Sequence, residues 1–159
     1  MKASELKQSD YPNFPEFKKW GIDLSDVDAA LITTLQSIRT TYGIPITPSP
    51  LQEAWSRKKG STSRHYAVGR LSDAGDIFPQ RERVLDLWLQ IQQRGDIGGI
   101  GLYVDTKGVD GKPWPMMHID LRPDRLLWTS DIVYGERKYY YFKQDYFWEI
   151  VGRIAGGYY

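Results

Sequence analysis

A chain of 159 residues, 41% hydrophobic and 14% aromatic, is long and apolar enough to bury one core, which excludes a disordered polymer. Formal net charge is +1, with 21 basic and 20 acidic residues interspersed, so nothing in the composition calls for a nucleic-acid or membrane partner. Cysteine is absent, which removes disulfides and thiolate metal sites and leaves imidazole and carboxylate as the side chains that would hold a metal.

The first eight residues are polar and lack the apolar core of a secretory signal. No stretch is long and apolar enough to cross a bilayer. The expectation is one domain over residues 1–159, made in the cytoplasm without a signal peptide and acting as a monomer. Pro15 opens a short helix that Gly21 stops. Ser25 or Asp23 is a suitable N-cap for a longer helix over 26–42. There Val27, Leu31, Leu35, Ile38 and Tyr42 form one apolar face, and Gly43 ends the helix. Residues 44–48 alternate and read as an edge strand, since proline donates no ladder hydrogen bond. Residues 50–55 fit a helical turn or two. The basic stretch around Arg57, Lys58 and Lys59 is either a solvated loop or one that faces a substrate.

Residues 64–68 and 74–78 then read as short strands, and 80–93 as a helix whose buried stripe is Val84, Leu85, Leu87, Trp88 and Ile91. The glycines of 98–104 fit no phosphate-binding spacing, and close backbone approach within a sheet explains them better. In 116–121, alternation sets Met116, His118 and Asp120 on one face and Met117, Ile119 and Leu121 on the other. Residues 126–128 form a further strand. The aromatic run from Tyr139 to Trp148 is expected to pack into the core, and a C-terminal helix starts near Gln144.

The chain holds only two histidines, His65 and His118, each beside aspartates. Imidazole is the commonest neutral metal ligand. Two imidazoles and a carboxylate supply three ligands of a zinc site that keeps its fourth position open, the arrangement of a hydrolytic zinc. The expectation is that these distant stretches converge on one ion.

Ser63-Arg64-His65, Gly69 and Ala74-Gly75-Asp76-Ile77, followed far downstream by His118-Ile119-Asp120, resemble the two signatures of the D-Ala-D-Ala carboxypeptidase and L-Ala-D-Glu endopeptidase family of zinc peptidases. The Gly98–Gly101 strand precedes the second signature as it does in that family. The likeness spans residues 15–130 in outline, and only the two histidine stretches are specific. It implies an α+β fold with a small central antiparallel sheet flanked by helices. It also implies Zn²⁺ on His65, Asp76 and His118, and hydrolysis of peptide bonds in bacterial cell-wall peptidoglycan. Many members are phage or bacterial lysins, so delivery to the wall would depend on release. Two features depart from the pattern. The spacing from His65 to Asp76 is longer than usual, which leaves Asp73 as an alternative ligand; Asp76 is preferred because it shares a strand face with Ala74. Pro115 stands where many members place the acid that serves as general base. Asp120 is the nearest substitute, either as the catalytic proton acceptor or as the group that orients His118, unless it simply pairs with Arg122. The family's substrate-binding arginine has no clear match, and Arg64, Arg70 and Arg57 are candidates by proximity.

Overall fold

The computed structural model describes residues 1–159 as an α+β fold. Its helices are α1 (Glu16–Lys19), α2 (Ala29–Tyr42), α3 (Val84–Ile91) and α4 (Asp145–Ala155). Its strands are β1 (Ile46–Pro48), β2 (Ala74–Pro79), β3 (Gly99–Tyr103), β4 (Met116–Asp120), β5 (Leu126–Val133) and β6 (Glu136–Tyr141). They form a six-stranded sheet in the order β1-β2-β4-β3-β5-β6. The sheet is mixed rather than wholly antiparallel, because β3 and β5 run parallel. That pairing arises because the chain leaves β4, crosses the start of β3 and returns on β3's other side. The crossing passes directly over Gly98, where a Cβ would lie 1.8 Å from the Arg122 carbonyl oxygen. The glycine is therefore a topological requirement.

One face of the sheet is dry. Ile77, Ile100, Leu102, Met117 and Ile119 point from it into a cluster shared with Leu31, Leu35 and Ile38 of α2, Leu87 and Ile91 of α3, and Phe147 and Ile150 of α4. All of these are essentially inaccessible. Burying such a side chain contributes about 1.5–3 kcal/mol, so this face fixes the strand register and thereby the register of the opposite face. On that opposite face stand Asp76, His118, Asp120, Gly99, Gly101 and Trp128.

Several elements differ from expectation for local reasons. Helix α2 begins three residues late: its cap is Asp28, whose carboxylate accepts from the Ala30 amide at 2.9 Å. Val27 and Asp28 form bridges instead of helix because the Asp28 amide donates to the Ser72 carbonyl and the Ser72 amide to the Asp26 carbonyl, at 2.8 Å each. Gly43, at φ 61°, ends the helix as expected. Residues 64–68 are a turn, not a strand. Their sheet-like pairing is a single bridge between Tyr66 and Arg57, and Gly60 and Gly69 at positive φ bend the chain on either side. The helix expected over 80–93 is α-helical only across α3, after one 3₁₀ turn at Arg81–Arg83. Strand β5 runs five residues past Trp128 and turns at Tyr134-Gly135, both at positive φ, into β6. The hairpin divides the aromatic run. Tyr140, Tyr146 and Phe147 pack against or within the core, while Tyr139, Tyr141, Phe142 and Trp148 stay exposed. The C-terminal helix begins after Gln144 as expected. No helix is long and apolar enough to cross a membrane.

The crossing can be tested. Gly98→Ala should destabilise the protein by about 1–3 kcal/mol, the usual cost of overpacking. Gly95→Ala, where nothing lies within 4 Å of the new methyl, should leave the denaturation midpoint nearly unchanged. Equal midpoints for the two variants would refute the close approach.

Candidate metal centre

The centre is built from two neighbouring strands and one turn. In the antiparallel β2–β4 pair, Asp76 lies directly opposite His118, and Ala74 opposite Asp120. Directly opposed residues on one face have their Cβ atoms about 4.5–5.5 Å apart, so the register alone brings carboxylate and imidazole together. His65 arrives from the turn. Its backbone carbonyl accepts from the Arg57 amide at 2.9 Å, and the Ala67 amide donates to Arg57 at 3.0 Å. Arg70 fastens the same turn by donating to the carbonyls of Tyr66, Ser63 and Arg64 at 3.0, 3.0 and 3.1 Å.

Three atoms converge: His65 Nε2, His118 Nδ1 and Asp76 Oδ1. The two nitrogens are 3.1 Å apart, and Asp76 Oδ1 is 3.0 Å from His118 Nδ1 and 3.4 Å from His65 Nε2. The imidazoles are 3% and 6% exposed. Separations of this size are what one ion with bonds of about 2.0–2.2 Å spans between its ligands. His65, Asp76 and His118 thus form a buried group able to hold a metal ion.

The hydrogen bonds decide which nitrogen of His118 faces the group. His118 Nε2 lies 3.0 Å from Asp120 Oδ2, an acceptor, so that nitrogen carries the proton. When His118 is neutral, the lone pair of Nδ1 faces a carboxylate oxygen 3.0 Å away. A lone pair facing a lone pair in a dry site is unfavourable, and either a second proton on His118 or a metal cation between the atoms relieves it. Burial opposes charge on both imidazoles. It depresses the pKa of His65, whereas for His118 the hydrogen bonds to Asp120 and Asp76 outweigh it and raise the pKa. Burial also works against ionising Asp76, but the charge of His65 and the bonds to both imidazoles hold its pKa far below the ordinary carboxylate range. The site therefore presents an ionised carboxylate and two imidazoles, a hard and borderline donor set suited to a divalent transition metal.

Asp73, the alternative ligand, is turned away and forms an ion pair with Arg64. Asp120 is brought near the group but not into it. It is 0% exposed and sits behind the His118 ring. Oδ2 accepts from His118 Nε2 and, at 2.5 Å, from Arg122 Nη2; Oδ1 accepts from Arg122 Nε at 2.7 Å and from the Arg122 amide at 3.1 Å. Such a carboxylate–histidine pair fixes tautomer and ring orientation. Strand β3 makes room for it: a Cβ on Gly99 would fall 2.2 Å from Asp120 Oδ2, and one on Gly101 would fall 2.4 Å from the Trp128 indole.

Two clefts open beside the group. One, of about 400 Å³, is lined by His118, Arg64, Arg122, Tyr103 and Trp128 among others. The other, of about 560 Å³, is lined by Asp76, Glu53, Arg57, Lys107 and Met116 among others. Arg64 thus reaches a cleft, whereas Arg70 lines neither and is spent on its turn. Glu53 and Asp76 are the acids that line the clefts, and Glu53 has no hydrogen-bond or ion-pair partner in the fold. Sequence reading passed over Glu53 because it lies in a single 3₁₀ turn, Gln52–Ala54, with no motif around it.

If Asp120 acts by orienting His118, Asp120→Asn should weaken Zn²⁺ or Co²⁺ binding about 10–100-fold, read by chelator competition on folded protein. Unchanged affinity would show that the brace is dispensable.

No protein-family model, curated protein or solved structure matches the chain.

Proposed function

We propose that the protein is a zinc-dependent peptidase that hydrolyses peptide bonds in the stem peptides of bacterial peptidoglycan. The observation that carries this reading is the convergence of His65 Nε2, Asp76 Oδ1 and His118 Nδ1 at 3.0–3.4 Å, between two clefts that flank the group. The same three residues are the ones that resemble the ligands of the zinc peptidase family. Zinc bound there would act as a Lewis acid toward the scissile carbonyl and a water molecule.

The chain's own residues divide the remaining work. Asp120, held by Arg122, keeps His118 in the tautomer that frees Nδ1. It has no further capacity to accept a proton from the cleft, because both oxygens are already bonded. The Glu53 carboxylate is the acid in the cleft that is free to take a proton from the attacking water and return it to the departing amine. Arg57 lines the same cleft without a carboxylate partner, and its buried Nε finds no acceptor. It is suited to hold a substrate carboxylate or carbonyl oxygen.

A second reading is a catalytically inactive relative that serves as a phage structural or cell-wall-binding module. Pro115, in place of the family's usual acid, favours it. The two readings separate in one experiment. Zinc-loaded wild type should release stem-peptide fragments from purified peptidoglycan. Glu53→Gln should lower kcat by about 10²–10⁴, the usual contribution of a general acid–base group, with zinc content unchanged. Stoichiometric zinc with no cleavage product would favour the inactive module. Full activity in Glu53→Gln would remove Glu53 from the mechanism.

A further inference from the structure

The side of the sheet that carries the metal group has no helix packed over β5 and β6. Its surface there is aromatic. Trp128 of β5 lies against the His118 ring, centroids 5.0 Å apart, and donates from Nε1 to the Tyr103 hydroxyl at 3.3 Å. Tyr141 is opposite Trp128, and Tyr139 is opposite Ser130 in the β5–β6 ladder. Tyr139 stacks edge-on to Tyr103 at 6.3 Å. Tyr139 and Tyr141 are 49% and 48% exposed, although they belong to a regular strand of a well-packed sheet. All four rings line the cleft of about 400 Å³ that begins at His118. Arg64 and Arg122 complete the lining, and no acid does. Arg64 Nε is buried without an acceptor in the protein.

These properties select among occupants. The patch is concave and small, whereas a stable protein partner needs about 800 Å² on each side. A purely apolar ligand would leave unmatched Arg64 Nε, which has no acceptor in the protein, and the guanidinium N–H groups that Asp73 and Asp120 do not take, at a cost of about 1–3 kcal/mol each. A pyranose ring meets both demands. Its C–H face is apolar and slightly positive, which suits the negative face of an aromatic ring. Its N-acetyl carbonyl and ring hydroxyl oxygens accept the bonds that arginine offers. The shelf is continuous with the metal group through Trp128 and His118, so a ligand on it would extend directly toward the reacting bond.

We propose that Trp128, Tyr103, Tyr139 and Tyr141, with Arg64 and Arg122, form a saccharide subsite for the N-acetylated amino sugar of the glycan. The enzyme then takes stem peptides that are still joined to their sugar in preference to free ones. This inference rests on the peptidase reading for its substrate, but the subsite can be measured without catalysis.

The test has two arms. In the first, metal-free protein is titrated with an N-acetylglucosamine oligomer while tryptophan fluorescence is followed. Wild type should give a saturable change, and Tyr139→Ala/Tyr141→Ala should lose it. Both tyrosines are exposed, so circular dichroism of the variant should match wild type. In the second, zinc-loaded protein is given an N-acetylmuramyl peptide or the same peptide without sugar. Wild type should show at least a tenfold higher kcat/KM on the glycosylated substrate, through KM. The double variant should lose that preference and keep wild-type kcat/KM on the bare peptide. Absence of saturable binding, or equal loss on both substrates, would overturn the subsite. If neither substrate is cut, the peptidase reading fails, and the titration still decides the subsite.

Discussion

The arrangement depends on one electrostatic constraint: three lone-pair-bearing atoms held within 3.4 Å of one another in a site almost closed to water. Left to themselves, two imidazoles and a carboxylate so placed would share protons or move apart. The fold keeps them together from three directions. The β2–β4 register sets Asp76 opposite His118, the dry face of the sheet locks that register, and a turn clamped to Arg57 and Arg70 presents His65. A divalent cation would satisfy all three atoms at once, which makes the group able to hold a metal ion.

Strand β3 makes the rest possible by having almost no side chains on the site face. Gly98 admits the crossing chain, Gly99 admits the Asp120 carboxylate, and Gly101 admits the Trp128 indole. Because Asp120 can lie across β3, it reaches His118 Nε2 and is itself gripped by Arg122. Because Trp128 can lie flat, it walls His118 and begins the aromatic shelf. Ion pairing and the bond to His118 overcome the burial of Asp120 and keep its pKa well below the ordinary carboxylate range, so it remains an anion behind the ring. A neutral acid there would orient the imidazole less firmly.

Much of this was legible in the sequence because two periodicities carry it. Alternation in 116–121 placed His118 and Asp120 together on a face away from the core, and the 3.6-residue pattern located α2 and α3 to within a few residues. The choice of Asp76 over Asp73 also followed from alternation, and Asp73 indeed turns to Arg64. What escaped depended on long-range pairing. The cap at Asp28 is displaced by backbone bonds to Ser72, and the turn at His65 depends on Arg57. The β5–β6 hairpin turns at Tyr134-Gly135, not at one of the Asn-Gly or Asp-Gly pairs that mark such turns. An unmarked turn hid β6, and with β6 hidden its aromatic residues looked like core. Glu53 had neither period nor motif to mark it, and only the folded chain puts it on the lining of the same cleft as Asp76.

The central claim is that the three atoms share one ion, and a crystal grown with zinc tests it most directly. The anomalous difference map at the zinc edge should hold one strong peak about 2.0–2.2 Å from His65 Nε2, Asp76 Oδ1 and His118 Nδ1 together. A map with no peak there, or with the ion bound by one imidazole and surface carboxylates while the other imidazole points elsewhere, would contradict the account.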